Sequence, residues 1–366
     1  MTNDVILWIV VATAIAFDFT NGFHDTANAI ATSISTRAMT PRVAVAMSAS
    51  LNFVGAFLSL AVAATIAKGI VNPGFITPSI VFAGLIGAIA WNLATWYLGL
   101  PSSSSHALIG GVVGATFAAA GSKAVLGAGL IEKVIVPALI APVLAFTSAG
   151  IAILVCYRIV GRQRPGTVSR GFRLGQILSG SLFSLSHGTN DAQKTMGILF
   201  LALVANGNLA PGDAVPVWVI VSSATAIAAG TYVGGWRIIR TMGSKIIKMD
   251  PAQGFAAQAA GAAVILSASH VGFPLSTTHV ISGGIMGAGA AKRVSAVRWG
   301  VAGNIVVAWV LTLPAAAAVG ALTFGIVHVL GEHTAGPIVV SGVLLIALAY
   351  ALIRRAANGR ALAADA

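Results

Sequence analysis

The sequence predicts an all-α polytopic membrane protein with about 11 transmembrane segments (10 to 12), built as two inverted-topology repeats with broken or re-entrant helices. Composition, recurrent apolar runs and an internal repeat predict this class. Of the 366 residues, 57% are hydrophobic and 8% are charged, whereas soluble domains carry roughly 25% charged residues. Apolar runs of ~20 residues, which can each cross ~30 Å of hydrocarbon, recur along the chain. A sizeable soluble domain is therefore excluded.

Short basic clusters between the apolar runs predict the topology, because Lys and Arg are enriched in cytoplasmic loops. Placing these clusters inside puts the N-terminus outside and the C-terminus inside. The clusters are Arg37 and Arg42; Arg158, Arg162, Arg164, Arg170 and Arg173; Arg237, Arg240, Lys245 and Lys248; Lys292, Arg293 and Arg298; and Arg354, Arg355 and Arg360. Topology thus accounts for the formal net charge of +12 without a nucleic-acid partner. The apolar N-terminal stretch lacks a basic n-region, so we expect it to be the first span.

Four regions follow from this topology. The first inverted repeat covers 1–157, a basic cytoplasmic loop covers 158–173, the second inverted repeat covers 174–325, and a final transmembrane helix with a cytoplasmic tail covers 326–366. Predicted spans of the first repeat are 5–36, 43–66, 79–100, 102–121 and 134–157. Those of the second repeat are 174–204, 215–235, 252–271, 274–291 and 299–325, and a last span covers 337–353.

The two halves also resemble each other in sequence. GLPSSSSHALIGGVVGA (99–115) aligns without gaps with GFPLSTTHVISGGIMGA (272–288), and GFHDTAN (22–28) aligns with GTNDAQK (188–194). An odd number of crossings in each half inverts one half relative to the other. Secondary transporters have this architecture, with the substrate near the midplane on interrupted helices. The first segment of each half is longer than one crossing needs and contains Gly and polar residues, so we expect a broken or re-entrant helix there.

Acidic side chains inside the first segment of each half are candidates for ion binding. A carboxylate at bilayer depth costs several kcal/mol unless it is paired, protonated or hydrated, so Asp25 and Asp191 predict function. Asn28, Asn190 and His24 lie beside them. Oxygen ligands suit Na⁺, and a carboxylate can instead bind H⁺ directly. The alternative is a structural ion pair with Lys194. Asp18 has no acidic counterpart in the second half, so a capping or interfacial acid is equally consistent with it.

PSSSSH (101–106) and PLSTTH (274–279) predict a site for an oxyanion. Each places proline and hydroxyl residues at the start of a Gly-rich helix, where free backbone N–H groups and the helix dipole attract anions. The hydroxyl groups expected to bind are those of Ser103, Ser104, Ser105, Ser276, Thr277 and Thr278. The alternative is that these residues only cap the helices, with His106 and His279 bonded to backbone. An intramembrane hydrolase using Ser103 and His106 is disfavoured, because no acid is placed to orient either histidine.

Together these four motifs resemble the inorganic phosphate transporter (PiT) family, in particular the bacterial low-affinity phosphate permeases. The resemblance covers nearly the whole chain. It implies a secondary transporter, not an enzyme, that imports inorganic phosphate by symport with H⁺ or Na⁺. It also implies a homodimer in a bacterial cytoplasmic (inner) membrane, no cofactor beyond the coupling ion, and transport of the anion as a neutral complex with a divalent metal in some members.

Carried over to this sequence, the family's paired acidic motifs fall on Gly22 to Asp25 and on Gly188 to Asp191. The resemblance implies that His24, Asp25, Asn28, Asn190 and Asp191 bind the coupling cation, with Asp25 and Asp191 as metal ligands if that cation is Na⁺. It also implies that the two Ser/Thr runs bind phosphate and that His106, His279 and Lys194 support this binding.

This sequence departs from the family pattern at His24, which stands where the motif has asparagine. An imidazole titrates near neutrality, so the change favours H⁺ over Na⁺ as the coupling ion. Two alternatives stay open. The first is a sulfate or related oxyanion permease of the same fold, and the second, from another class, is a passive anion channel.

Overall fold

The computed structural model describes the backbone of residues 2–332 and 334–364, and the side chains of residues 5–332, 334–347, 349 and 350. The all-helical prediction is confirmed: the described residues form helices and no strand, with one isolated bridge between Val71 and Val125. The helices are α1 (Thr2–Ser35), α2 (Pro41–Gly55), α3 (Ala61–Gly69), α4 (Pro78–Leu98), α5 (Ser104–Ala120), α6 (Gly127–Leu130), α7 (Val136–Val160), α8 (Pro165–Ala205), α9 (Val217–Val233), α10 (Trp236–Arg240), α11 (Pro251–His270), α12 (Thr277–Lys292), α13 (Trp299–Leu330) and α14 (Ala335–Ala364). Turns of π-helix at Ile131–Ile135 and Thr241–Lys245 continue α6 into α7 and extend α10.

Local sequence signals place several helix ends. Proline at the first helical position begins α4 and α11, where its missing N–H costs nothing. Asp250 and Gln253 form a capping box at the start of α11. The Ser103 and Ser276 hydroxyls accept backbone N–H groups at the starts of α5 and α12. These caps satisfy orphan donors that would otherwise be buried.

The first helix of each half is continuous, so the predicted break there is wrong. α1 and α8 run unbroken through the motif glycines. Those glycines serve close packing instead: a Cβ on Gly22 would overlap the Ile227 carbonyl of α9, and one on Gly188 would lie 2.6 Å from the Cα of Asn52 in α2. Breaks occur in the next segment of each half, between α2 and α3 and, with a 59° bend, between α9 and α10.

Helices extend further into the predicted cytoplasmic segments than expected. Residues 165–173 belong to α8, which leaves 161–164 as the link between the halves. Helix α14 continues through the predicted tail, while the side chains of Arg354, Arg355 and Arg360 lie outside the described residues.

Four described helices are long and apolar enough to cross a membrane: Val5–Ser35, Pro78–Leu98, Gly127–Val160 and Trp299–Leu330. The bent pair Val217–Val233 and Trp236–Lys245 makes a fifth if it is one span. Helices α5 and α12 are shorter, with 17 and 16 residues. The chain is thus an integral membrane protein, and the count of eleven spans stays a prediction.

Helices of the two halves pack on each other in matching pairs. α1 packs on α9 as α8 packs on α2, and α5 packs on α13 as α12 packs on α7. α1 and α8 also touch along their length and run antiparallel, since Thr36 donates to Gln176 at 2.6 Å while the carboxylates of Asp25 and Asp191 lie near each other further along. This packing brings both paired motifs into the centre of the molecule.

Candidate functional site

Four segments form the central site: the middles of α1 and α8 and the first turns of α5 and α12. Each predicted site residue has at most 4% of its surface exposed. They are His24, Asp25, Asn28, Ser103, Ser104, Ser105, His106, Asn190, Asp191, Lys194, Ser276, Thr277, Thr278 and His279. Burial of this many polar groups requires partners, because an unpaired polar group in a low-dielectric interior is costly.

His24 and Asp25 form a buried pair. The His24 Nδ1 atom lies 2.7 Å from Asp25 Oδ1. On its other side, His24 Nε2 lies 3.1 Å from the Thr95 hydroxyl of α4. Ser102 and Ser104, which flank the start of α5, each bring a hydroxyl within 3.4 Å of the imidazole. The ring therefore connects the Asp25 carboxylate with the start of α5.

Asp191 is held by two basic side chains of its own helix. Lys194 Nζ lies 2.5 Å from Asp191 Oδ1, and His187 Nε2 lies 3.2 Å from Asp191 Oδ2. Asn52 of α2 orients the other side of the His187 ring, with 3.1 Å between Asn52 Oδ1 and His187 Nδ1. The ion pair with Lys194, the alternative noted from the sequence, is present.

Lys194 and Asn28 occupy equivalent positions of the two halves, and each donates to the helix start of the other half. Lys194 donates to the Ser105 hydroxyl at 2.5 Å and to the Leu275 carbonyl at 2.8 Å. Asn28, which aligns with Lys194, donates to Thr278 at 2.9 Å and to Thr277 at 3.2 Å. The starts of α5 and α12 are thus fixed beside the two acidic motifs.

Hydroxyl groups at these starts have two different roles. Ser103 and Ser276 are caps, since they accept the backbone N–H groups of His106 at 3.1 Å and of His279 at 3.3 Å. Thr277 and Thr278 face the acids instead, with Thr277 3.4 Å from Asp191 and Thr278 3.5 Å from Asp25.

His106 and His279, the histidines of the two Ser/Thr motifs, contact each other in the first turns of α5 and α12. Their ring centroids are 4.8 Å apart in an edge-on arrangement. His279 also stacks on Trp309 of α13 at 4.1 Å, and its Nδ1 atom lies 3.4 Å from the Ala138 carbonyl. These contacts make both rings part of the packing between α5, α12 and α13.

A cluster of possible cation ligands lies between the halves. One ligand atom each of Asp25, His187 and Asp191 lies within 4.8 Å of the others. The Oδ1 atoms of Asn28 and Asn190 are buried without a hydrogen-bond partner among the described residues. Asn190 turns its amide nitrogen away, to Ser269 at 2.7 Å. Such oxygen and imidazole groups can hold a cation or a proton.

Comparison with known proteins then identifies the family. A model described as the phosphate transporter family matches residues 21–167 and 161–320. The chain belongs to the phosphate transporter family.

Relatives within this family support the assignment. A Mycobacterium bovis protein named "Probable low-affinity inorganic phosphate transporter" is 57% identical over 329 residues, which cover 90% of this chain and 79% of the relative. A Bacillus subtilis protein of the same name is 46% identical over 324 residues, covering 88% and 97%. Because the relatives are named as transporters, the expectation of a transporter rather than an enzyme is confirmed.

A solved structure shares the fold. The chain titled "The sodium-dependent phosphate transporter" superposes with a TM-score of 0.78 at 25% identity, covering 88% of this chain and 99% of that one. The two chains therefore share one fold over most of their length.

Sequence reasoning missed three residues of this phosphate transporter site. His187 precedes GTND directly, and that position next to a paired motif was its signal. Ser102 belongs to the quoted PSSSSH run. Thr95 gave no signal, because its contact with His24 depends on how α4 packs on α1.

Proposed function

We propose that this protein is a secondary active transporter that imports inorganic phosphate by symport with H⁺ across a bacterial cytoplasmic membrane. The family and the names of its relatives support the substrate. The observation that carries the coupling ion is the His24–Asp25 pair, buried in contact with the start of α5.

The phosphate is proposed to bind between the starts of α5 and α12. Residues in the first turn of a helix have N–H groups without intrahelical partners, and the helix dipole adds positive potential there. Ser104, Ser105, Thr277 and Thr278 supply further donors. The Lys194 ammonium contacts Ser105 directly, so it gives the site a fixed positive charge for the anion.

Hydrogen-bond directions support a proton on the His24–Asp25 pair. The Thr95 hydroxyl donates to the Trp91 carbonyl at 2.9 Å and accepts from Ser102 at 2.8 Å. In this arrangement the Thr95 oxygen is free to accept from His24 Nε2, and the Asp25 carboxylate can accept from Nδ1. Both ring nitrogens then donate, as in an imidazolium. A proton bound here adds positive charge beside the phosphate, and its release weakens anion binding.

The architecture is proposed to be two inverted repeats, 1–157 and 174–325, with the N-terminus outside, the C-terminus inside and eleven spans. The antiparallel contact between α1 and α8, which carry aligned motifs, supports this arrangement. So does the reciprocal packing of the halves. Inverted halves around a central site suit alternating access. The homodimer implied by the resemblance is part of the same proposal.

Sodium is a second candidate for the coupling ion, because the solved relative is titled sodium-dependent. In that case Asp25 and Asp191 would be the metal ligands. The same cluster with His187 offers ligands to a divalent metal, so transport of a neutral metal-phosphate complex is compatible with it.

Uptake of labelled phosphate into proteoliposomes under separately imposed pH and Na⁺ gradients tests the proposal. We expect accumulation driven by an inward proton gradient in Na⁺-free buffer, saturable and competed by unlabelled phosphate but not by sulfate. Accumulation only with Na⁺ would replace H⁺ by Na⁺. Labelled phosphate that never accumulates above its electrochemical equilibrium would indicate a channel. Competition by sulfate would indicate a general oxyanion permease.

A further inference from the structure

Asp18 lies in the middle of α1, two turns before Asp25 on the same face of the helix. It has 0% of its surface exposed. It is therefore neither a helix cap nor an interfacial acid, the readings that the sequence allowed. The functional site described above does not use it.

No basic side chain pairs with Asp18 among the described residues. Of the helices that pack on α1, α4 and α9 contain no Asp, Glu, His, Lys or Arg, and Arg42 of α2 is exposed. The charged groups closest to it are Asp191 and Lys194 of α8, which are already paired with each other. His24 and Asp25, two turns away, are paired as well.

Two polar side chains adjoin the carboxyl group: Asn21, one turn along α1, and Thr195, one turn beyond Asp191 on α8. Four oxygens of these three residues are buried without a hydrogen-bond partner in the described part of the chain. They are Asp18 Oδ1, Asp18 Oδ2, Asn21 Oδ1 and Thr195 Oγ1. An ionised carboxylate only accepts, and neither Asp18 oxygen has a donor partner among the described residues, so a charged Asp18 would be buried without compensation.

A proton on Asp18 removes this uncompensated charge. A protonated Asp18 has an O–H group that the unpartnered Asn21 Oδ1 can accept. No uncompensated charge then remains at bilayer depth, where it would cost several kcal/mol. Ca²⁺ or Mg²⁺ fits less well, because these cations take about six or more oxygen ligands in proteins.

We infer that Asp18, with Asn21 and Thr195, forms a proton-binding site separate from the His24–Asp25 pair. Relative to Asp25 and Asp191, it lies two turns closer to the N-terminus of α1 and one turn closer to the C-terminus of α8. The inference concerns where a proton resides and does not depend on which ion drives uptake.

Infrared spectroscopy of the purified full-length protein in liposomes tests this directly, because a protonated carboxyl has a carbonyl band that a carboxylate lacks. We expect wild type at pH 7 in Na⁺-free buffer to show this band and Asp18→Asn to lack it. Asp213→Asn, in the exposed loop before α9, is the matched control and should leave the band unchanged. Identical spectra for wild type and Asp18→Asn would overturn the inference. So would a band that disappears when Na⁺ is added, since that result makes the site a sodium site.

Thermal unfolding gives a second readout on the same proteins. Asn has the shape and neutrality of the protonated acid, so Asp18→Asn should fold. Wild-type stability should fall as pH rises from the ordinary carboxyl pKa of about 4 up to the range in which the Asp18 band is lost, and this fall should be absent in Asp18→Asn. Parallel pH profiles for the two proteins would contradict a proton at Asp18. Phosphate uptake plays no part in either measurement, so failure here is distinguishable from failure of the proposed symport.

Discussion

The Lys194 ammonium lies 2.5 Å from the Asp191 carboxylate and 2.5 Å from the Ser105 hydroxyl, so one side chain joins the acidic motif of the second half to the helix start of the first. At the equivalent position of the first half, Asn28 makes the matching contact with Thr278. The two contacts occupy equivalent positions in the two halves, but the Lys194 side chain is charged and the Asn28 side chain is neutral. The proposed phosphate site therefore has one cationic side chain, Lys194, which contacts the start of α5.

Replacing Lys194 by methionine should weaken phosphate binding by about 10- to 100-fold, because a charge-assisted hydrogen bond contributes about 1.5–3 kcal/mol. Equilibrium binding of labelled phosphate to purified protein measures this. The double variant with Asp191→Asn removes the carboxylate left unpaired and should bind equally weakly while folding better. Exposed Lys123→Met is the control. Wild-type affinity in the double variant would show that Lys194 only neutralises Asp191.

His24→Asn should abolish the dependence of uptake on an inward proton gradient, because the imidazole is the group proposed to carry the proton. Initial rates at several external pH values measure it: wild-type uptake should increase as external pH falls, and the variant should respond little. His270→Asn, at the exposed end of α11, is the control. An unchanged pH profile in His24→Asn would remove His24 from coupling.

Ser105→Ala should raise the phosphate concentration for half-maximal uptake by about fivefold, as expected for one lost hydrogen bond of about 1 kcal/mol. Thr278→Val should have a similar effect from the other helix start. Exposed Ser122→Ala should behave as wild type. Concentration series of uptake distinguish binding from turnover. If only the maximal rate fell, these hydroxyls would not bind the anion.

Gly22→Ala and Gly188→Ala should each destabilise the fold by about 1–3 kcal/mol, the typical cost of overpacking. The added methyl group meets the backbone of α9 or α2, which cannot move aside as a flexible side chain could. Gly303→Ala, in α13 with nothing within 4 Å, should be neutral or stabilising. Thermal unfolding in detergent measures the difference. Equal stability of all three variants would show that α1 and α8 do not require these glycines.

The proposed topology places the start of α8 on the cytoplasmic side of the membrane and its end on the outer side. The chain has one cysteine, Cys156, so Cys156→Ser gives a background for labelling. In intact cells an impermeant thiol reagent should label Asn208→Cys and not Gln163→Cys. Labelling of both, or of Gln163→Cys alone, would refute the proposed orientation.

Local signals in the sequence predicted most helices well. Helix α4 begins at Pro78 and ends before Gly99, which has a φ of 67°. These limits agree with the span predicted at 79–100. The candidate site residues, which the structure brings together, were predicted through the repeat, because paired acids and paired helix starts are rare in apolar spans. The continuity of α1 and α8 was not predictable in this way. Gly22 and Gly188 look like helix breakers until their neighbours in α9 and α2 are known. Thr95 and His187 likewise acquire their roles only through packing between helices.

The most direct test of proton coupling at His24 and Asp25 is simultaneous recording of phosphate uptake and external pH around Na⁺-free proteoliposomes. The proposed mechanism predicts that adding phosphate to wild type starts uptake together with alkalinisation of the medium, and that His24→Asn loses this alkalinisation. Phosphate uptake that proceeds only after Na⁺ is added, with no accompanying proton movement, would contradict it.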